Sequence, residues 1–220
     1  MHQLDRATVP KPTCLVDPPE EKRYADLRGR DKDEIRESLW ALQTDRCAYC
    51  ERRTARHKDE GHIEHFRKQC DFSHLDLDWD NMFWSCMDTN SCGKHKDDCD
   101  MEHGTGTKRI FDPDDIVDPC RDNPEEFFCF IDDGTVRVRE DLSEDDERRA
   151  SETLRVFNLD ESPFLRTSRE DAVRPYKQSV DSLLQCGIET VKLYVQSQIE
   201  VINQSPFRTA IKHYLGGLIV

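Results

Sequence analysis

Four cysteines set the hardest limit on how this chain can fold. Cys47 and Cys50, in Cys47-Ala48-Tyr49-Cys50, stand at the spacing from which two thiolates reach one tetrahedral Zn²⁺ out of a single tight turn. Such a turn supplies half a site. The other half is sought at Cys86 and Cys92, where five residues rather than the usual two to four separate the sulfurs. Cys70 and Cys99 compete for the place of Cys92 if that longer loop folds away from the metal. The same thiols could instead pair as disulfides, which requires an oxidising compartment. The opening MHQLDRATVPKPTC has neither the basic nor the apolar region of a secretory signal. The expectation is therefore a cytoplasmic chain with reduced thiols and structural zinc.

Between the cysteine pairs runs Gly61-His62-Ile63-Glu64-His65-Phe66-Arg67. If this segment is extended, Ile63 and His65 point one way and His62 and Glu64 the other. A carboxylate beside an imidazole suits phosphodiester hydrolysis, which needs a base for water and a divalent cation for the charge that grows on the phosphate. His65 titrates near neutrality and can act as the base; Glu64 offers the hard oxygen that Mg²⁺ or Mn²⁺ prefers. A Glu-His dipeptide alone is more often an exposed polar pair. Its place between two cysteine pairs is what gives it weight.

In their order, Cys-x-x-Cys, Ile-Glu-His-Phe-Arg, Trp79-Asp80-Asn81, Ser85-Cys86, Cys92 and Lys96 resemble the HNH, or ββα-metal, endonucleases. Within them the chain is most similar to the PtuB-type HNH subunits of Septu-type anti-phage systems, including those encoded beside retrons. The likeness runs over roughly residues 35 to 175, through an Asp-Pro step, an acidic hairpin and a helix. It implies an α+β fold, a zinc-stapled ββα core carrying an N-terminal helix, a β-hairpin and a C-terminal helical region. It implies His65 as general base, Glu64 as ligand of a catalytic Mg²⁺ or Mn²⁺, and Asn81 as the residue that orients the base and steadies its loop. Many relatives carry Asn after the last cysteine where this chain has Gly93. Glycine cannot coordinate, so His95 becomes the candidate second ligand, against a reading in which it contacts phosphate or faces solvent; His62 and His74 remain open. Arg67, Lys94 and Lys96 are candidate phosphate contacts. The resemblance also implies nucleic acid as substrate, DNA or a structured RNA such as tRNA. It implies an ABC-like ATPase of the PtuA type as partner, with a retron reverse transcriptase and its nucleic acid in the retron-linked branch. The competing function is a zinc-ribbon adaptor or nucleic-acid-binding subunit without catalysis.

Charge bears on how such a protein would work. The net charge is −14, unusual for a chain that must approach a polyanion. Over residues 46–69 seven basic residues face four acidic ones, whereas over 111–152 sixteen acidic residues face five arginines. A weakly basic active face with an acidic remainder suggests that a partner supplies much of the substrate affinity, although an acidic run is more often a solvated surface.

The chain divides as residues 1–30, a Pro-rich extended arm; 31–110, the nuclease core; 111–140, an acidic hairpin region; and 141–220, a helical region for packing or docking. Helical periodicity places Ile35, Leu39 and Leu42 on one face of 31–43, and Ala150, Leu154 and Phe157 on one face of 143–158 behind a Ser143 cap. Asp132-Asp133-Gly134 marks a hairpin turn within 126–139. Residues 176–203 carry the longest apolar stripe and are expected to form one helix, with Pro163 and Pro175 as punctuation before it. No nucleotide-binding loop is present, since Gly104-Thr105-Gly106-Thr107-Lys108 is too short, and no apolar run spans a bilayer.

Overall fold

A computed structural model of the chain describes residues 1–98 and 111–218. The fold is α+β, with six helices and two antiparallel hairpins among the described residues. Helix α1, Gly29–Leu42, buries Ile35, Leu39 and Leu42 on its inner face, as the periodicity predicts. It ends at Gln43, whose buried amide does the work of a strand. Its Nε2 donates to the Arg46 and Trp84 carbonyls, both at 2.8 Å, and its Oε1 accepts from the Trp84 amide at 2.8 Å.

Strand β1, Gly61–His65, pairs antiparallel with β2, Met82–Cys86, and helix α2, Cys92–Asp98, follows. All five residues of β2 are buried. The register opposes Ile63 to Trp84 and His65 to Met82. Glycine is required at position 61 by packing: a Cβ there would stand 2.3 Å from the Trp84 ring. That ring's Nε1 donates to Thr54 Oγ1 at 2.9 Å and so fastens β2 to the segment between the first cysteine pair and β1.

A second hairpin joins β3, Phe128–Phe130, to β4, Val136–Val138, about a turn in which Gly134 takes φ +83°. A Cβ on Gly134 would meet the Arg166 carbonyl at 2.0 Å, so the turn seen in the sequence needs its glycine both for conformation and for contact. Helix α3, Glu144–Phe157, begins at Ser143, whose Oγ accepts from the Asp146 amide, and closes at Asn158 in the left-handed region.

The rest of the helical region departs from expectation. Instead of one helix over 176–203, α4 runs Pro163–Leu184 and α5 runs Ile188–Gln204, with Gly187 at φ +98° between them. The apolar period continues across the break, which is why it reads as one stripe; a glycine in a conformation that L side chains rarely adopt ends the helix. Pro163 opens α4 at its first turn, where a missing N–H costs nothing. Pro175 lies inside the helix rather than bounding it, and the buried Val173 and Val180 on either side hold the helix together there. Helix α6, Arg208–Gly216, completes the chain's described secondary structure.

Residues 1–28, expected as an extended arm, are irregular but packed. They form three single 3₁₀ turns and bury Met1, Leu4, Leu15 and Leu27. Proline-rich sequence removes regular structure, not apolar side chains. Among the described residues no helix is long and apolar enough to cross a membrane.

An aromatic stack joins α3 to the first cysteine pair: Phe157 lies on Tyr49, with ring centroids 4.0 Å apart and planes 20° apart, and both side chains are fully buried. Phe157→Ala is expected to cost about 3–5 kcal/mol of stability by leaving a cavity at this joint. Urea unfolding of the variant checks this; a loss below about 1 kcal/mol would show that the stack is not a core contact.

Candidate functional site

The two cysteine pairs converge. The four Sγ atoms of Cys47, Cys50, Cys86 and Cys92 lie within 4.8 Å of one another, and those of Cys50 and Cys86 are 4.0 Å apart. Sulfurs bonded tetrahedrally to zinc at about 2.3 Å stand roughly 3.8 Å apart, whereas a disulfide requires about 2.05 Å. The cluster therefore fits a soft tetrahedral ion such as zinc, and among the described residues it is the only grouping of three or more potential ligands.

Local backbone explains each position. The turn around the first pair closes through the Glu51 amide on the Cys47 carbonyl at 3.1 Å, with Glu51 at φ +64°. Cys86 ends β2, and Cys92 opens α2 at φ +59°. The five-residue loop is taken up internally: the Asp88 carboxylate accepts from the Asn90 amide at 3.0 Å and the Ser91 hydroxyl at 2.9 Å, bringing Cys92 back to the cluster. Of the competing cysteines, Cys70 is exposed away from the cluster, and Cys99 lies outside the described residues.

The electrostatics of the cluster also call for a cation. Burial pushes the Cys47 thiol up, but the bonded thiols of Cys50, Cys86 and Cys92 outweigh it and hold Cys47 well below the ordinary range. Its bond to Cys47 drives Cys50 well above that range, and burial does the same to Cys92. A bound cation would let thiols so close together ionise jointly. Arg169 of α4 lies buried nearby, its guanidinium 5.4 Å over the Phe130 ring. Burial lowers its pKa, and charge on Cys50 and Cys92 acts in the opposite sense.

His65 ends β1. Its Nε2 lies 3.0 Å from the Asp76 carbonyl, and its ring meets Tyr24 edge to face at 4.8 Å. A carbonyl only accepts, so Nε2 carries the hydrogen and Nδ1 keeps the basic lone pair. Burial lowers the His65 pKa, favouring the neutral imidazole that a base must present. Asn81 braces the loop between the strands. Its side-chain amide donates to the Arg67 and Leu75 carbonyls at 3.0 and 3.1 Å, and its Oδ1 accepts from the Arg67 amide at 2.6 Å. Tyr24 and Asp76 carry no sequence signal for this role, because only the tertiary fold brings them to His65.

Glu64 is buried, on the opposite face of β1. Lys96 Nζ stands 2.8 Å from its Oε1, and His62 Nε2 3.3 Å from its Oε2. Burial opposes ionisation of Glu64, but Lys96 and His62 outweigh it and leave the carboxyl below its usual range. Gly93 leaves the room: a Cβ there would lie 2.5 Å from Oε2.

Two expectations about α2 need correction. His95, the expected second ligand, is turned toward α3, its Nδ1 2.9 Å from the Val156 carbonyl. Residue 95 is about 200° around the helix from Gly93, which faces Glu64. Lys96 is no phosphate contact in this structure, because its side chain is fully buried and Nζ also donates to the His65 carbonyl and the Asp97 carboxylate, both at 2.9 Å. Lys94 is half-buried on α2, and Arg67 forms an ion pair with exposed Asp114, a surface contact that a phosphate could replace.

Cys92→Ser is expected to lower bound zinc from one equivalent to a small fraction and to unfold the core, whereas Cys70→Ser leaves both unchanged; metal analysis with circular dichroism checks this. Asn81→Ala should loosen residues 66–81, read as faster proteolysis within that loop, with zinc retained. Unchanged cleavage there would remove the bracing role. No protein-family model matches the chain, and no curated protein matches it.

Proposed function

We propose that this chain is an HNH-type, ββα-metal endonuclease that hydrolyses phosphodiester bonds on a zinc-stapled frame. The observation that carries the reading is the state of His65: its Nε2 is tied to the Asp76 carbonyl, which leaves a neutral, basic Nδ1 at the end of β1, next in sequence to a buried carboxylate on the opposite face of the strand. A structural zinc ribbon needs neither group. The order hairpin then helix, with cysteines at the end of β2 and the start of α2, agrees with the ββα arrangement that the sequence resemblance implies.

In this reading His65 Nδ1 takes a proton from the attacking water, and the Asp76 carbonyl holds the ring in the productive tautomer as the imidazolium forms. Asn81 keeps the loop carrying Asp76 in register with β1. Glu64, kept ionised by Lys96, would hold a divalent cation, Mg²⁺ or Mn²⁺. That ion, when bound, supplies charge stabilisation at the phosphate and at the departing 3′ oxygen. The products are a 5′-phosphate and a 3′-hydroxyl. Arg67 exchanges Asp114 for a substrate phosphate.

The biological setting proposed is anti-phage defence within a complex containing an ABC-like ATPase. Support comes from the acidic balance, which disfavours independent binding to a polyanion, and from exposed Leu184, Ile188, Leu193, Ile199 and Val201 toward the tip and outer side of the α4–α5 hairpin. His65→Ala should reduce cleavage of plasmid DNA or total RNA by about 10²–10⁴-fold in Mg²⁺ or Mn²⁺, with zinc content unchanged and the folded circular-dichroism spectrum retained. Cleavage retained at the wild-type level would sink the base assignment. No cleavage by zinc-loaded wild type, alone or with its ATPase, would favour the adaptor.

A further inference from the structure

The carboxylate of Glu64 is presented asymmetrically. Oε1 is ion-paired with Lys96 at 2.8 Å without hydrogen-bond geometry, and that ammonium is fully buried and also fixed by the His65 carbonyl and Asp97. Oε2 looks elsewhere, toward His62, and fills the room left by the missing side chain of Gly93. An amide or imidazole on residue 93 could not be added without displacing Glu64, since even a Cβ would stand 2.5 Å from Oε2 and 2.7 Å from the carboxyl carbon. The carboxylate itself occupies the room beside the first turn of α2.

His62 is the polar neighbour of Oε2 among the described residues. It lies two residues before Glu64 on the same face of β1, and its Nε2 is 3.3 Å from Oε2. Neighbouring ligands of an octahedral ion bonded at about 2.1 Å are separated by roughly 3.0 Å. The imidazole side chain is 19 % exposed, so water can reach the outer side of the pair to fill further coordination positions. Its Nδ1 is buried with no hydrogen-bond partner among the described residues. A histidine kept for structure is normally satisfied at both nitrogens; among the described residues this one has Glu64 as its single polar contact.

We propose that His62 and Glu64, through Nε2 and Oε2, form the protein's half of a divalent-cation site, with His62 in the role that the side chain missing at Gly93 would otherwise fill. The inference rests on the nuclease reading for its use but not for its existence. It also fixes the class of ion. Exchanging an amide oxygen for an imidazole nitrogen moves preference from Mg²⁺ toward first-row transition metals, so Mn²⁺ binds more tightly than Mg²⁺.

Calorimetric titration of Mn²⁺ and Mg²⁺ into the zinc-loaded full chain tests this, with His62→Ala, His62→Asn and His95→Ala beside wild type. Wild type is expected to bind one Mn²⁺ beyond zinc, at least tenfold more tightly than Mg²⁺. His62→Ala should weaken Mn²⁺ at least tenfold and His95→Ala should leave it unchanged, both with one zinc and an unaltered melting temperature. His62→Asn, nearer in size and polarity, covers the case in which the alanine variant fails to fold; it should bring the Mn²⁺ to Mg²⁺ ratio close to one. Wild-type affinity in both His62 variants, loss of affinity in His95→Ala, or no second ion in wild type would each overturn the proposal. Cleavage that needs His65 in a protein whose ion does not need His62 would leave the nuclease standing without this site. A His62-dependent ion in a protein that cuts nothing would leave the site standing without the nuclease.

Discussion

Four buried thiols from three separate places in the chain meet at one point, and the rest of the structure is arranged around that meeting. Cys47 and Cys50 belong to the turn after α1, Cys86 to the end of β2 and Cys92 to the start of α2. A single tetrahedral ion held there would fix the helix, the hairpin and the following helix relative to one another. β1 and β2 form a hairpin of five residues each, too short to be stable alone; His65 sits at its end remote from Cys86, and the Glu64 carboxyl packs against Gly93, next to Cys92. Their positions are therefore only as well defined as the frame behind them.

The C-terminal helices reinforce the same point rather than forming a body of their own. The guanidinium groups of Arg46 and Arg53 donate to the carbonyls of Asn203 and Gln204, each at 2.6 Å, so that the open carbonyl end of α5 is satisfied by the segment bearing the first cysteine pair. Glu51, next to Cys50, accepts from the Thr209 amide at 2.9 Å and from its hydroxyl, and the Phe207 amide donates to the Glu51 carbonyl at 3.1 Å. Arg169 places a buried positive charge toward the thiolates from α4. Residues remote in sequence thus offset the two costs of a buried thiolate turn: unsatisfied backbone groups and uncompensated charge.

Much of this was legible in the sequence, for reasons that differ by element. The cysteine pairs, the inner face of α1, the turn at Gly134 and both ends of α3 each follow from local chemistry: ligand spacing, helical period, positive φ and capping. What stayed hidden is tertiary. Nothing near Lys96 announces that its ammonium is buried against Glu64, and a lysine after a metal ligand reads naturally as a phosphate contact. His95 has the right residue type and near-right spacing, but the helical period turns it to α3 and gives the face toward Glu64 to Gly93 and Lys96. The break at Gly187 is invisible to a periodicity that resumes in phase, and the packed N-terminal residues are masked by their prolines.

The most direct test of this account is X-ray absorption at the zinc edge on the purified full chain. The structure predicts four sulfur scatterers at about 2.3 Å and no nitrogen or oxygen in the first shell, because among the described residues only these four thiols converge as a ligand group. A mixed shell, or thiols oxidised in pairs with no metal, would contradict the claim that one four-thiolate ion sets the frame on which His65 and Glu64 are mounted.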